Sequence, residues 1–282
     1  MSYLDKRGST LVRLLTALVL VPVVFGLVMV PGLRIGFVLF AALMAAVGLW
    51  EYFGLVRALE IKAAPVPGMV FGMALVIAAG WHGKHGVPHP AMLSMSFIFA
   101  MGMLSLGLVH LFFDRQTLAG LAASVLGVLY VGGGAAHVVL LHGLAPSLVV
   151  FLLVTIILSD TGAYFAGRFF GRHKLAPRVS PKKTWEGAIG GLVAAGLGGV
   201  ALYFMYFQIS RWMLVVYVVM ALLIAAFGQF GDLMESMLKR NAGIKDSGSI
   251  FPGHGGVLDR CDGILFAAPA LYYLVLLPRM LF

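Results

Sequence analysis

The chain has 282 residues, of which 61% are hydrophobic and only 11% charged, with a formal net charge of +9 and a mean hydropathy of +1.00. Soluble domains average about 45–50% apolar and about 25% charged residues, so no water-facing shell here is large enough to cover a core, and a bilayer must be the solvent. The single cysteine, Cys261, excludes an internal disulfide and a cysteine-rich metal site, and the positive charge lies in short loops. That placement suits anionic lipid or an anionic substrate and excludes nucleic acid, which needs a basic face on a folded domain.

Apolar windows of about 20 residues predict an all-α polytopic membrane protein with nine spans, at 11–31, 35–55, 66–81, 91–113, 118–141, 147–168, 187–208, 212–235 and 263–281. Basic residues before the first run resemble a signal peptide, but the run is long enough to span and reads as the first membrane helix. The third window is short and ends at "GWHGKHGVPHP". With the N-terminus inside, 16 of the 20 Lys and Arg residues fall on inner segments, and only Arg34, Lys84, Arg211 and Arg279 fall outside. This asymmetry orients the chain with a cytoplasmic N-terminus and puts its polar chemistry at the cytoplasmic face.

Glycine is abundant, 36 residues, with spacings such as Gly187 and Gly191 in "GAIGG" and the run "GGGAAH" at 132–137. Small residues of this kind let helices pack closely in lipid. A phosphate-cradling loop should follow a strand of an α/β unit, and none is predicted. The chain reads as one membrane domain.

Three polar clusters interrupt the hydrocarbon. In "SDTGAYFAGRFFGRHKL", Asp160 lies about 12 Å inside the sixth span at 1.5 Å per residue, where an isolated carboxylate must pair, bind a cation or line a wet cavity. Tyr164 and Arg168 follow at i+4 and i+8 on nearly the same face, so an internal Asp–Arg or Asp–Tyr contact is the plain alternative. In "PRVSPKKTWEG", Ser180–Pro181 reads as a turn, while Lys182, Lys183 and Thr184 offer ammonium and hydroxyl donors. Ordinary inner-face charge at a helix start, with Glu186 favouring the helix N-terminus, explains them equally well.

In "FGQFGDLMESMLKRNAGIKD", Asp232, Glu235, Ser236 and Lys239 share one helical face, near the inner interface. The loop "SGSIFPGHGG" follows, rich in turn residues whose backbone N–H groups can approach an anion. Asp259, Arg260 and Asp262 come next at the mouth of the last span, where Asp259 could also serve as a helix cap. Carboxylates without His or Cys partners suit a hard, oxygen-ligated cation, Mg²⁺ above all. With Lys and Arg around them, they suit phosphoryl or nucleotidyl transfer involving a lipid.

The segment 236–262, "SMLKRNAGIKDSGSIFPGHGGVLDRCD", closely resembles the signature of the phosphatidate cytidylyltransferase (CDP-diacylglycerol synthase) family: Ser-x-aliphatic-Lys-Arg, four residues, Lys-Asp, then Pro-x-His-Gly-Gly-x-x-Asp-Arg-x-Asp. "SDTGAYFAGRFFG" and "SPKKTWEG" are similar to the family's two upstream blocks. The chain departs from the pattern at Cys261, usually aliphatic or aromatic, and at Gly263, often serine. The first half resembles the family only as a run of membrane helices.

The resemblance implies the reaction CTP + phosphatidate → CDP-diacylglycerol + pyrophosphate, in a bacterial plasma membrane with the active site at the cytoplasmic face. It implies Asp232 and Asp259 as metal ligands for Mg²⁺, with Asp246, Asp262 and Asp160 as candidate further ligands and room for a second cation. Lys239, Arg240, Lys245 and Arg260 would carry phosphate charge. Ser180, Lys182, Lys183, Thr184 and Ser236 would assist at CTP or the lipid head, and the loop His254–Gly255–Gly256 would present backbone N–H groups to the triphosphate. Residues 1–145 would then be a helical scaffold and 146–282 the catalytic half, with membrane lipid as partner and a homodimer compatible with the reading. The choice of cytidine comes from the resemblance alone.

Three other readings compete. A cation-coupled transporter would place its charges near the midplane in both halves, whereas here the acids gather at one interface. A CDP-alcohol phosphatidyltransferase would resemble Asp-Gly-x-x-Ala-Arg, and "DGILFA" at 262–267 fails at the arginine. A catalytically lapsed paralogue would not need the acids that are intact here.

Overall fold

The computed structural model describes residues 18, 21–82, 89–113, 117–206, 211–248 and 255–281. After a helical stretch at 21–29, the chain forms α1 (Arg34–Ala58), α2 (Pro65–His82), α3 (His89–Phe112), α4 (Leu118–Gly127), a π-helical turn (Val128–Gly133), α5 (Gly134–Leu144) and α6 (Pro146–Phe170). Strands β1 (Lys174–Ala176) and β2 (Ser180–Thr184) follow, then α7 (Trp185–Tyr206), α8 (Arg211–Asn241) and α9 (Leu258–Leu281). Helix dominates because hydrocarbon satisfies no backbone N–H or C=O, so each segment must close its own hydrogen bonds.

The outside is apolar, as that solvent requires: Leu118, Trp212, Trp81 and Phe112 are all strongly exposed. Among the described residues, five helical segments are long and apolar enough to cross a membrane: Arg34–Ala58, Leu118–Leu144, Pro146–Phe170, Trp185–Met205 and Trp212–Asn241. Pro65–Trp81 and Ser96–Phe112 are shorter apolar helices. With α4 through α5 taken as one span, the observed ends of α1 to α7 lie within three residues of the predicted ones, whereas α8 runs six residues past its predicted end and α9 starts five residues before its predicted start. Residues 11–17 and 19–20 of the predicted first span, together with Lys84 and Arg115, lie outside the described residues.

The chain divides into two compact units. The first contains residues 1–146 and 241–261. Its core is built from Phe37, Leu49, Tyr52, Val76, Val128 and Leu141, all buried. Polar groups inside it are matched locally: Tyr52 Oη donates to the Ala123 carbonyl (2.9 Å), and Ser124 Oγ accepts from Ala64 N (2.9 Å). At one end Arg34 Nη2 donates to the Gly80 carbonyl at the last turn of α2 (3.0 Å). In the π-helical turn, a Cβ on Gly132 would lie 2.6 Å from Gly72 Cα, so α2 and this turn meet backbone to backbone.

The second unit contains residues 147–240 and 262–282. Phe151, Leu152, Ala195, Ile224, Ala268 and Leu271 form its buried core. Gln229 on α8 ties three helices, its Nε2 donating to Ser159 Oγ on α6 (3.3 Å) and to the Ala188 carbonyl on α7 (3.1 Å). The expectation for "GAIGG" is met here: a Cβ on Gly187 would crowd Ala163 O, and one on Gly191 would crowd Ser159 O.

The turn expected at Ser180–Pro181 is displaced. Those residues open strand β2, which pairs antiparallel with β1 in the register Lys174↔Thr184 and Ala176↔Ser180. The chain reverses instead at 177–179, where Val179 N donates to the Ala176 carbonyl (3.2 Å). Both Pro177 and Pro181 suit a turn, but Pro177 at its second position pre-sets φ there, while a two-stranded edge tolerates Pro181 without its N–H. This hairpin is a small exception to the all-helical expectation and forms no α/β unit.

Glu186 closes the hairpin base, accepting from Arg172 N (3.1 Å) and from His173 Nδ1 (2.6 Å). Thr184 caps α7, its Oγ1 accepting from Gly187 N at 3.1 Å. A hydroxyl acceptor at this position satisfies one of the orphan N–H groups of the first turn. Thr184→Val should therefore lower stability by about 1 kcal/mol, with Thr184→Ser near neutral, as read by thermal unfolding in detergent.

Candidate active site

In the second unit, α8 carries its charged face past the end of the apolar run. The helix continues to Asn241, so Asp232, Glu235, Ser236 and Lys239 stand on consecutive turns of one face. Opposite them, α9 begins at Leu258, earlier than the predicted 263, which places Asp262 within its first two turns. Gly231 decides how close the two helices come. A Cβ there would lie 2.5 Å from the Asp262 carbonyl oxygen and 2.7 Å from Phe266 Cβ, so only glycine lets the backbones touch.

The result is a group of three carboxylates. One oxygen each from Asp232, Glu235 and Asp262 lies within 4.8 Å of the others, with Glu235 buried and the two aspartates half-buried. Two lysines meet them: Lys183 Nζ from the hairpin is 2.5 Å from Asp232 Oδ2, and Lys239 Nζ is 2.5 Å from Glu235 Oε2. Ser236 Oγ donates to Asp232 Oδ1 at 3.4 Å. Carboxylates this close raise one another's energy, and ammonium groups or a bound cation among them lower it. The donors are all hard oxygens, the ligand type that Mg²⁺ takes and zinc or copper sites do not favour.

The other predicted residues of this unit sit around the cluster on separate elements. Arg240 Nε donates to the Val179 carbonyl at 3.4 Å, holding the hairpin turn. Ser180 and Lys182 lie on β2, with Lys182 exposed. Asp160 is exposed on α6, and on that face Arg168 Nη1 donates to Tyr164 Oη at 3.0 Å, an Arg–Tyr pair that differs from the Asp–Arg or Asp–Tyr contact expected.

The first unit holds the rest of the signature. Lys245 and Asp246 are exposed in the loop after α8, and Arg260 is exposed in the first turn of α9. Asp259 fastens that loop: its Oδ2 accepts from Ser247 N (3.0 Å) and from Gly256 N (2.8 Å). The Gly256 N–H is thus committed to a side chain of the protein. Gly255 has φ +84°, a conformation open mainly to glycine. His254 lies outside the described residues.

Two acids were missing from the expected site. Glu235 shares the face of Asp232 at i+3, and that spacing was the available signal. Glu51, in "GLWEYFG", is 2% exposed in α1, and its carboxylate binds the signature loop. A lone acid in an otherwise uncharged membrane window was the only hint of it.

Residues 11–277 match the family model described as the cytidylyltransferase family. Curated relatives named phosphatidate cytidylyltransferase include that of Staphylococcus aureus (strain COL), 37% identical over 268 residues, covering 94% of this chain and 98% of that protein. Those of Staphylococcus haemolyticus and Staphylococcus epidermidis are 34% and 33% identical, with the same coverage of both chains. The likeness therefore runs through the N-terminal helices, where no motif announced it.

The close approach at Gly231 gives a direct test of how the cluster is assembled. Gly231→Ala should push α9 away from α8 and, if the three acids hold a hard cation, weaken Mn²⁺ binding by about tenfold, measured by electron paramagnetic resonance. Overpacking of this kind should also lower stability by about 1–3 kcal/mol.

Proposed function

Because the chain belongs to the cytidylyltransferase family, we infer that it transfers the cytidylyl group of CTP to phosphatidate, yielding CDP-diacylglycerol and pyrophosphate. The observation that carries the site assignment is the trio Asp232, Glu235 and Asp262 beside Lys183 and Lys239. The phosphate of phosphatidate is a monoester with a second pKa of about 6, so it is largely dianionic at neutral pH and needs no dedicated base. One of its oxygens attacks the α-phosphorus of CTP. A new P–O–P bond forms as the bond to the β-phosphate oxygen breaks, and pyrophosphate leaves.

Positioning and charge stabilisation are then the main tasks of the protein. Asp232, Glu235 and Asp262 would hold Mg²⁺, with Asp259, Asp246 and Asp160 as further candidate ligands for it or for a second cation. The ion would supply Lewis-acid stabilisation of phosphoryl oxygens and of the leaving group. Lys183 and Lys239 share the carboxylate oxygens that a metal would take, and an anionic substrate offers these two ammonium groups another partner. Arg240, Lys245 and Arg260 would carry phosphate charge, while Ser180, Lys182, Thr184 and Ser236 would contact the nucleotide or lipid head. His254 and Gly255 would present backbone N–H groups to the triphosphate, with Gly256 anchoring the loop.

The count of nine spans, the inner location of the N-terminus and a cytoplasmic active site in a bacterial inner membrane are supported by the distribution of Lys and Arg. The division into scaffold (1–145) and catalytic half (146–282) is supported by the position of the polar clusters. A homodimer is the simplest assembly, since C₂ symmetry is the commonest in oligomers.

Two experiments test this reading. Protein purified in detergent, given phosphatidate, Mg²⁺ and each labelled nucleoside triphosphate in turn, should pass label to lipid from CTP only. Asp232→Asn and Asp262→Asn should reduce the rate by about 100-fold or more, and chelation should abolish it; folded protein that labels no lipid would refute the assignment. For orientation, a cysteine placed at exposed Lys245 in a Cys261→Ser background should react with an impermeant maleimide in inside-out vesicles. Reaction in right-side-out cells instead would reverse the topology.

A further inference from the structure

Glu51 lies on α1, in the half of the chain that carries no signature motif, yet both of its carboxylate oxygens belong to the signature loop. Oε1 accepts from Val257 N at 3.1 Å. Oε2 accepts from Leu258 N at 2.8 Å and from Ser247 Oγ at 3.2 Å. The side chain is 2% exposed, and glycines wall it in: a Cβ on Gly256 would lie 2.5 Å from each carboxylate oxygen, and one on Gly248 would collide with Oε1. The site has room for this carboxylate and for no larger loop side chain.

Together Glu51 and Asp259 take four backbone N–H groups from the two ends of one loop: Asp259 those of Ser247 and Gly256, Glu51 those of Val257 and Leu258. Lys245 and Asp246 stand immediately before this pinned stretch and Arg260 immediately after it. An anion at the first turn of α9 is also favoured by the helix dipole. A side chain wanted only as a helix cap could come from a residue beside the helix start. A carboxylate drawn from about 200 residues away, as the sequence separations of 196, 206 and 207 record, fixes the loop against a separate helix.

We propose that Glu51 is a positioning residue for the cytidylyl transfer: it holds the Ser247–Leu258 loop so that its flanking cations meet the substrate phosphates. This rests on the function proposed above for what the loop does, although the hold itself is independent of it. Glutamine at this position would turn its donor amide toward one of the Val257 and Leu258 N–H groups, since each now takes a different oxygen. Misplacement by about 1 Å can cost about 100-fold in rate.

The test uses full-length protein in detergent micelles with phosphatidate, CTP and Mg²⁺. Glu51→Gln should fold, lower kcat by about 10- to 100-fold and change KM for CTP far less, with Glu51→Asp retaining more activity than Glu51→Gln. Amide hydrogen exchange should accelerate at 247 and 255–258 while α6 and α7 stay protected. A purely structural role predicts a lower Tm with kcat per folded molecule unchanged, and that result would overturn the proposal. If Glu51→Gln does not fold, Ser247→Ala removes one contact only and should still lower kcat several-fold; an unchanged kcat would overturn it equally. Should wild-type protein transfer no cytidylyl group, the functional reading fails, and exchange alone decides whether Glu51 holds the loop.

Discussion

A carboxylate inside an apolar protein persists only where cations or backbone N–H groups surround it, and that constraint governs every polar feature of this chain. Glu51 is surrounded by two N–H groups and a hydroxyl, Asp259 by two more N–H groups, and Asp232 and Glu235 by lysine ammonium groups. Each acid thereby fixes something else in place: a loop, a helix start or a lysine side chain.

The second ingredient is the absence of side chains. Helices in lipid gain little from hydrophobic burial against one another, so close contact between backbones takes over. At Gly231 that contact sets the distance between the acids of α8 and Asp262 of α9. Around Glu51, Gly248 and Gly256 leave the space that lets a carboxylate approach two consecutive N–H groups. Glycine beside an acid is thus a recurrent local device here, used once to gather charges and once to bind a loop.

These two devices sit in different units and serve different purposes. The three-carboxylate group on α8 and α9 has the donor chemistry of a hard-cation site, and its lysines supply what phosphates need. The loop from Ser247 to Leu258 instead is held at both ends by acids that spend their oxygens on backbone. Asp259 therefore has an evident anchoring task, whatever else it contacts, and Gly256 serves the loop's shape through the same bond.

Composition determined that the chain lives in a bilayer, because no other solvent fits 61% hydrophobic residues, and the long apolar windows determined that it is built of helices rather than a closed barrel. The signature of residues 236–262 determined the family, since it depends on residue identity at fixed spacing and on nothing distant. Asp232 and its face-mates were legible for the same reason: helical periodicity is local. Tertiary structure decided what distant residues share. Only the meeting of α8 and α9 could bring Asp262 to Asp232 and Glu235, and only the packing of α1 against the loop could reveal Glu51. It also decided between two prolines for the hairpin turn, because each was locally suitable and strand pairing broke the tie. Periodicity and motif report what neighbours in sequence impose on one another; contacts across 200 residues leave no such trace in a single chain.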